Sequence, residues 1–141
     1  DQLTDNVVVM GGGLAGCELA VHLGQQGKTV HLVEMRDSLA VDCNIRQRPI
    51  LMQMVDKYVQ VHTGCAGKEI TSEGLRCETA SGEQILVPGT SIVMAVGQRA
   101  NTKAVDALRD GAPFVRIIGD CQRPSNILNA MYAAYHAALD I

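Results

Sequence analysis

Several features are missing from this chain of 141 residues. No run of Lys and Arg is long enough to neutralise several phosphates at once, and the net charge is -3, which argues against nucleic acid as a partner. No apolar stretch approaches the roughly 18 residues that a membrane span needs, and the opening residues Asp1, Gln2, Leu3, Thr4 and Asp5 are acidic rather than basic. Neither a transmembrane helix nor a signal peptide is expected. Of the 5 cysteines none stands in a CxxC pair, so the ligand spacing of a zinc site, an iron–sulfur cluster or a redox disulfide is absent. Reduced thiols and a cytoplasmic location follow as the expectation. His22, His31, His62 and His136 show no HxxxH or HxxH spacing with a carboxylate, and no GxSxG elbow marks a hydrolase.

What is present favours a folded α/β domain. With 47% hydrophobic and 19% charged residues and a mean hydropathy of +0.09, the chain lies far from the composition that keeps polypeptides disordered. Its length suits one compact domain, or one domain and part of another. Asn6 to Met10 is a short β-branched run stopped by Gly11-Gly12-Gly13, as in a buried parallel strand. Leu14, Cys17, Leu19, Ala20 and Leu23 recur near helical spacing up to Gly27, and Thr29 to Val33 is a second apolar run closed by Glu34. Strand, glycine turn, helix and strand in about 30 residues make a βαβ unit.

Beyond that unit the pattern changes. Leu51, Met52 and Val55 predict a helix with Pro49 in its first turn, and Tyr58 to His62 predicts a strand. Glu69 to Ser72, Leu75 to Thr79 and Glu83 to Val87 are separated by Glu73-Gly74 and Ser81-Gly82, which predicts a β-meander. Thr90 to Val96 returns to a core-strand pattern, Val115 to Ile118 predicts one more strand, and Ser125 is placed to cap a last helix through Leu139. The expected fold is a Rossmann-like, three-layer α/β domain with a parallel sheet and a β-meander crossover.

Gly11, Gly13 and Gly16 satisfy GxGxxG between a strand and a helix, where the glycines make a tight turn, admit a pyrophosphate and let helix pack on strand. The N–H groups and positive dipole end of such a helix hold a diphosphate without a lysine. Glu34, at the end of the second strand, suits both ribose hydroxyls of an adenosine and repels a 2′-phosphate, which favours NAD(H) over NADP(H). Arg36 reads as a surface charge or as a guanidinium able to reach a 2′-phosphate. Glu18 is expected in the first helical turn, favoured there by the dipole. The cofactor-binding set around this turn is Gly11, Gly12, Gly13, Leu14, Ala15, Gly16, Glu34, Met35 and Arg36, with no catalytic side chain and no metal ligand.

From Val7 to Ala20 the chain resembles the inserted NAD(P)H domain of flavoproteins with two dinucleotide-binding domains, the superfamily of the disulfide reductases and NADH oxidases. The run from Ile92 to Asn101 is similar to the segment by which that insert is left, usually ending Gly-x-x-Pro-Asn, although Ala100 stands in the proline's place. Ile118-Gly119-Asp120-Cys121, with Pro124, Ile127, Ala130 and Ala134-Tyr135, looks like the second FAD-contacting segment of the branch containing 2,4-dienoyl-CoA reductase, trimethylamine dehydrogenase and enoate reductases. The resemblance implies Asp120 at the flavin ribitol, Glu18 near the nicotinamide and Gly97 as a further residue of the cofactor-binding set. It also implies residues 1–111 as the NAD(P)H-binding domain, residues 112–141 as the C-terminal segment of an FAD domain, and hydride transfer from NADH to flavin. No second GxGxxG is present to hold FAD, so the chain reads as a fragment whose partner is the flavin domain of the same longer polypeptide. Its last helix, left uncovered, would invite self-association.

Two other classes remain to be weighed. A regulatory NAD-sensing module should continue as alternating strand and helix, against the hairpin turns seen here. A self-sufficient dehydrogenase needs its own acid or base, and no Tyr-x-x-x-Lys pair exists, because Lys103 precedes Tyr132 and Tyr135.

Overall fold

Three consecutive valines place β-branched side chains on both faces of one strand, and both faces are covered. In the computed structural model, which describes residues 2–140, Val7, Val8 and Val9 lie in strand β1 (Asn6–Met10) and are fully buried. β1 pairs in parallel with β2 (Thr29–Val33) on one side and with β7 (Ser91–Met94) on the other, and β2 pairs with β3 (Gln60–His62). The parallel sheet has the order β3-β2-β1-β7. Helix α1 (Leu14–Gln25) connects β1 to β2, and α2 (Arg48–Tyr58), with Pro49 in its first turn, leads into β3.

Between β3 and β7 the chain builds an antiparallel sheet of β4 (Cys65–Thr71), β5 (Gly74–Thr79) and β6 (Gln84–Pro88). The period-2 alternation of β1 divides the core between the layers. Val7 and Val9 pack with Cys17, Ala20, Leu51 and Val55 from the helices, whereas Val8 joins Val33, Cys65, Leu75, Cys77 and Val87 from the meander side. Helices, parallel sheet and meander form the three layers that the sequence predicts.

The chain divides into two compact units at Gly97/Gln98. The second contains α3 (Thr102–Asp106), a 3-10 turn at Gly119–Cys121 and α4 (Ile127–Leu139). Four local expectations need correcting. Val115 to Ile118 forms no strand, because this unit contains no other strand among the described residues to complete a ladder. Tyr58 belongs to α2 rather than to the strand at 60–62. The first meander strand begins at Cys65, ahead of Glu69, with a bulge between Gly67 and Glu69. The cap of α4 is Asn126, whose side chain accepts the Asn129 N–H at 2.9 Å, while Ser125 Oγ accepts from the Asn129 side-chain amide at 2.7 Å. No residue of α4 is buried, and Ile127, Leu128, Met131, Tyr132, Tyr135 and Leu139 are all more than three-fifths exposed. Among the described residues, no helix is long and apolar enough to cross a membrane.

Candidate functional site

The glycine turn joins the end of β1 to α1. Gly11 adopts φ +113°, its N–H donates to the Val33 carbonyl at 2.8 Å, and a side chain there would run into the Ala95 backbone. Both the conformation and the space require glycine. At Gly16 a Cβ would collide with the Gly11 carbonyl, so this residue lets the first turn of α1 lie directly on the loop. Gly13 is different: around its missing side chain the nearest atoms are the Asp42 carboxylate oxygens at 3.9 Å, leaving an open surface in front of the helix. Gly13 is also the N-cap of α1 and has no side chain with which to cap it, so the first-turn N–H groups depend on whatever approaches from outside. This backbone cradle fits a diphosphate.

The segment after β2 folds over the turn. Glu34 Oε2 accepts the Gly12 N–H at 2.6 Å and Oε1 accepts the Arg36 N–H at 2.9 Å. A carboxylate has about four lone-pair sites, so acceptor capacity remains. Leu39 and Ala40 are buried, the Ala40 N–H donates to the Gly12 carbonyl at 2.8 Å, and the Arg48 guanidinium donates through Nε and Nη2 to the Leu39 carbonyl at 3.0 and 2.8 Å. Asp42 Oδ1 accepts the Leu14 N–H at 3.1 Å. Beneath the turn the Cys17 thiol donates to the Gly12 carbonyl at 3.3 Å, and burial pushes its pKa up to about 11. That thiol is a packing group, protonated at neutral pH.

Gly11, Gly12, Gly13, Leu14, Ala15, Gly16 and Glu34 are therefore brought together, with exposed Met35 and Arg36 following directly. Glu18 lies beyond the first turn of α1, a correction to its expected position, and accepts from the Gln47 side-chain amide at 3.4 Å. The dipole falls off within that first turn, so it does not account for Glu18. Gly97 follows β7 with φ +102°. In the second unit, Asp120 is exposed and its Oδ1 accepts the Ser125 N–H at 3.2 Å. Sequence reasoning missed Asp42, which reaches Leu14, and Arg48, which fixes Leu39, both from stretches with no motif of their own.

His31 and His62 stack with ring centroids 5.4 Å apart and share an Nδ1–Nε2 hydrogen bond of 3.1 Å. Burial lowers both pKa values below the ordinary value of 6.5, and for His31 the neighbouring His62 adds to the effect. No cluster of three or more His, Cys, Asp or Glu able to hold a metal occurs among the described residues.

Comparison with known proteins agrees with this architecture. The chain is 39% identical over 134 residues to a bilirubin reductase of Mediterraneibacter gnavus, covering 94% of this chain and 21% of that protein. It is 32% identical over 139 residues to an NADH oxidase of Thermoanaerobacter brockii, covering 97% of this chain and 21% of that one. A solved 2-naphthoyl-CoA reductase, in complex with 2-naphthoyl-CoA, superimposes with a TM-score of 0.88 at 26% identity, over 100% of this chain and 22% of the reductase. The chain thus spans about a fifth of the length of these relatives. The family profile described as pyridine nucleotide-disulphide oxidoreductase matches residues 1–134, and the chain belongs to that family.

Proposed function

We propose that the chain is the NADH-binding part of a longer, FAD-dependent oxidoreductase and carries hydride from NADH towards a flavin. The observation that carries this reading is the backbone cradle at Gly13, set at an end of α1 whose N-cap residue has no side chain and next to Glu34. Family membership and the similarity to an NADH oxidase support it. Gly11, Gly12, Gly13, Leu14, Ala15 and Gly16 would line the diphosphate, and the free lone pairs of Glu34 would take the adenosine ribose hydroxyls. Met35 and Arg36 would border the adenosine, with Glu18 and Gly97 towards the nicotinamide.

Residues 1–111 form the NAD(P)H-binding domain in this reading, and residues 112–141 belong to the FAD domain, with Asp120 at the ribitol. The relatives' fivefold greater length supports a flavin domain in the same polypeptide. The exposed apolar face of α4 is then the surface which that domain covers, or through which the separate chain self-associates. NADH held there would supply a hydride and FAD in the longer polypeptide would take it up, while this chain's residues bind, orient and exclude water. An acceptor such as an enoate or an enoyl thioester would follow the flavin in this reading, which the thioester held by the 2-naphthoyl-CoA reductase supports. The compartment is the cytoplasm.

Titration of the purified chain with NADH, followed by nicotinamide fluorescence and calorimetry, should give saturable one-to-one binding. Absence of binding by the folded chain would end this reading.

A further inference from the structure

Asp42 lies outside the glycine fingerprint, yet its carboxylate occupies the mouth of the cradle. One oxygen holds the Leu14 N–H at 3.1 Å, and both oxygens are the nearest atoms to the open space at Gly13. The segment that delivers it is anchored just before it. Leu39 is clamped by the Arg48 guanidinium, Ala40 is bonded to Gly12, and Ala40 is buried at φ +47°, a conformation that residues with a Cβ rarely adopt. Beyond these anchors Val41 and Asp42 are exposed. The Asp42 side chain can therefore swing into water while Leu39 and Ala40 stay fixed.

Resting on the dinucleotide reading, we propose that Asp42 is a built-in competitor for the diphosphate. It satisfies a first-turn donor of α1 in the free protein and leaves when a dinucleotide binds. One N–H cannot serve two anions fully, and a carboxylate left beside a diphosphate is repelled. The competition reduces the intrinsic affinity to the fraction of molecules in which Asp42 has released its donor. NADH is then held less tightly than the cradle alone would allow.

A plain helix cap makes the opposite prediction for binding, so ligands that differ in phosphate content separate the two. NADH, ADP-ribose and adenosine are titrated into the unmutated chain, Asp42→Ala and Asp42→Asn. Asp42→Ala should bind NADH and ADP-ribose roughly tenfold more tightly, with adenosine unchanged because it carries no phosphate. Asp42→Asn, which keeps an oxygen for Leu14 and so preserves the fold if alanine does not, should fall between. If the folded variants bind NADH no more tightly than the unmutated chain, or if adenosine gains as much as NADH, the competition is refuted and the dinucleotide reading stands. If neither the unmutated chain nor the variants bind NADH or ADP-ribose, the dinucleotide reading itself fails, and the competition with it.

Discussion

Glu34→Gln removes one charge and one oxygen from the group that joins the glycine turn to the end of β2. The carboxylate receives two backbone N–H groups, Gly12 at 2.6 Å and Arg36 at 2.9 Å. Glutamine has one oxygen for the two donors, so one bond is lost and an amide faces an N–H. Gly12 is buried, and a buried donor without a partner costs about 1–3 kcal/mol, so the variant should unfold at lower urea by that amount. The effect on ligand choice is separate. A carboxylate and a 2′-phosphate charge about 4 Å apart repel by roughly 1 kcal/mol in water and about 4 kcal/mol at an effective dielectric near 20. Half-buried Glu34 lies between these limits, and Arg36 nearby reduces the figure. The unmutated chain should therefore prefer NADH to NADPH by at least about fivefold, and Glu34→Gln should erase most of that preference. Paired titrations in one buffer, reading nicotinamide fluorescence, give both constants. Equal affinities in the unmutated chain, or an unchanged ratio in a folded variant, would refute the assignment of Glu34 to the ribose.

Three further outcomes are expected. Gly13→Val meets only open space and the edge of Asp42, so circular dichroism should show a folded domain while NADH binding is lost; normal binding would make the turn purely structural. His31 and His62 are held neutral in the folded state and charge near pH 6.5 when unfolded, so their contribution to stability is complete above that pH and is lost as pH falls through the lower folded values. Urea unfolding at pH 7.5 and 5.5 should show this loss, and His62→Gln should lessen it; the same loss in the variant would clear the pair of responsibility. A single hydrogen bond from Asp120 to a flavin supplies about 1.5–3 kcal/mol, far below the ~8 kcal/mol of micromolar binding. The 141-residue chain should therefore purify without colour even after incubation with FAD, and stoichiometric yellow flavin would contradict this.

The βαβ unit was legible because its signals are local: a β-branched run, glycines at fixed offsets and an apolar helix face all lie between Asn6 and Val33. The meander was legible from its two turns. Val115 to Ile118 misled because apolar composition alone does not supply a neighbouring strand, and α3 was missed in a short stretch to which no element was assigned. At the candidate site, Glu34 was found from its distance to the glycines. Asp42 and Arg48 were not, since each acts through a contact distant in sequence: Asp42 on Leu14 across 28 residues and Arg48 on Leu39 across 9. No local pattern records such contacts. The Ser125 cap failed by one position, where two residues with side-chain oxygens stand in succession and only backbone geometry chooses between them.

The central place of β1 has a consequence for the order in which this fold is made. Of the strands of this unit β1 is synthesised before the others and pairs with β2, but its other edge waits for β7, so Val7 meets Ser91 only after α1, α2 and the whole meander have been synthesised. The glycine turn shares that delay, because Gly11 is shaped against Ala95. Until then Val8 lacks its covering layer, and a nascent chain halted in the meander would present a sheet face and an open strand edge to its surroundings. Contacts of such long sequence separation slow folding. The dinucleotide cradle is thus encoded near the start of this chain but finished close to the end of its first unit.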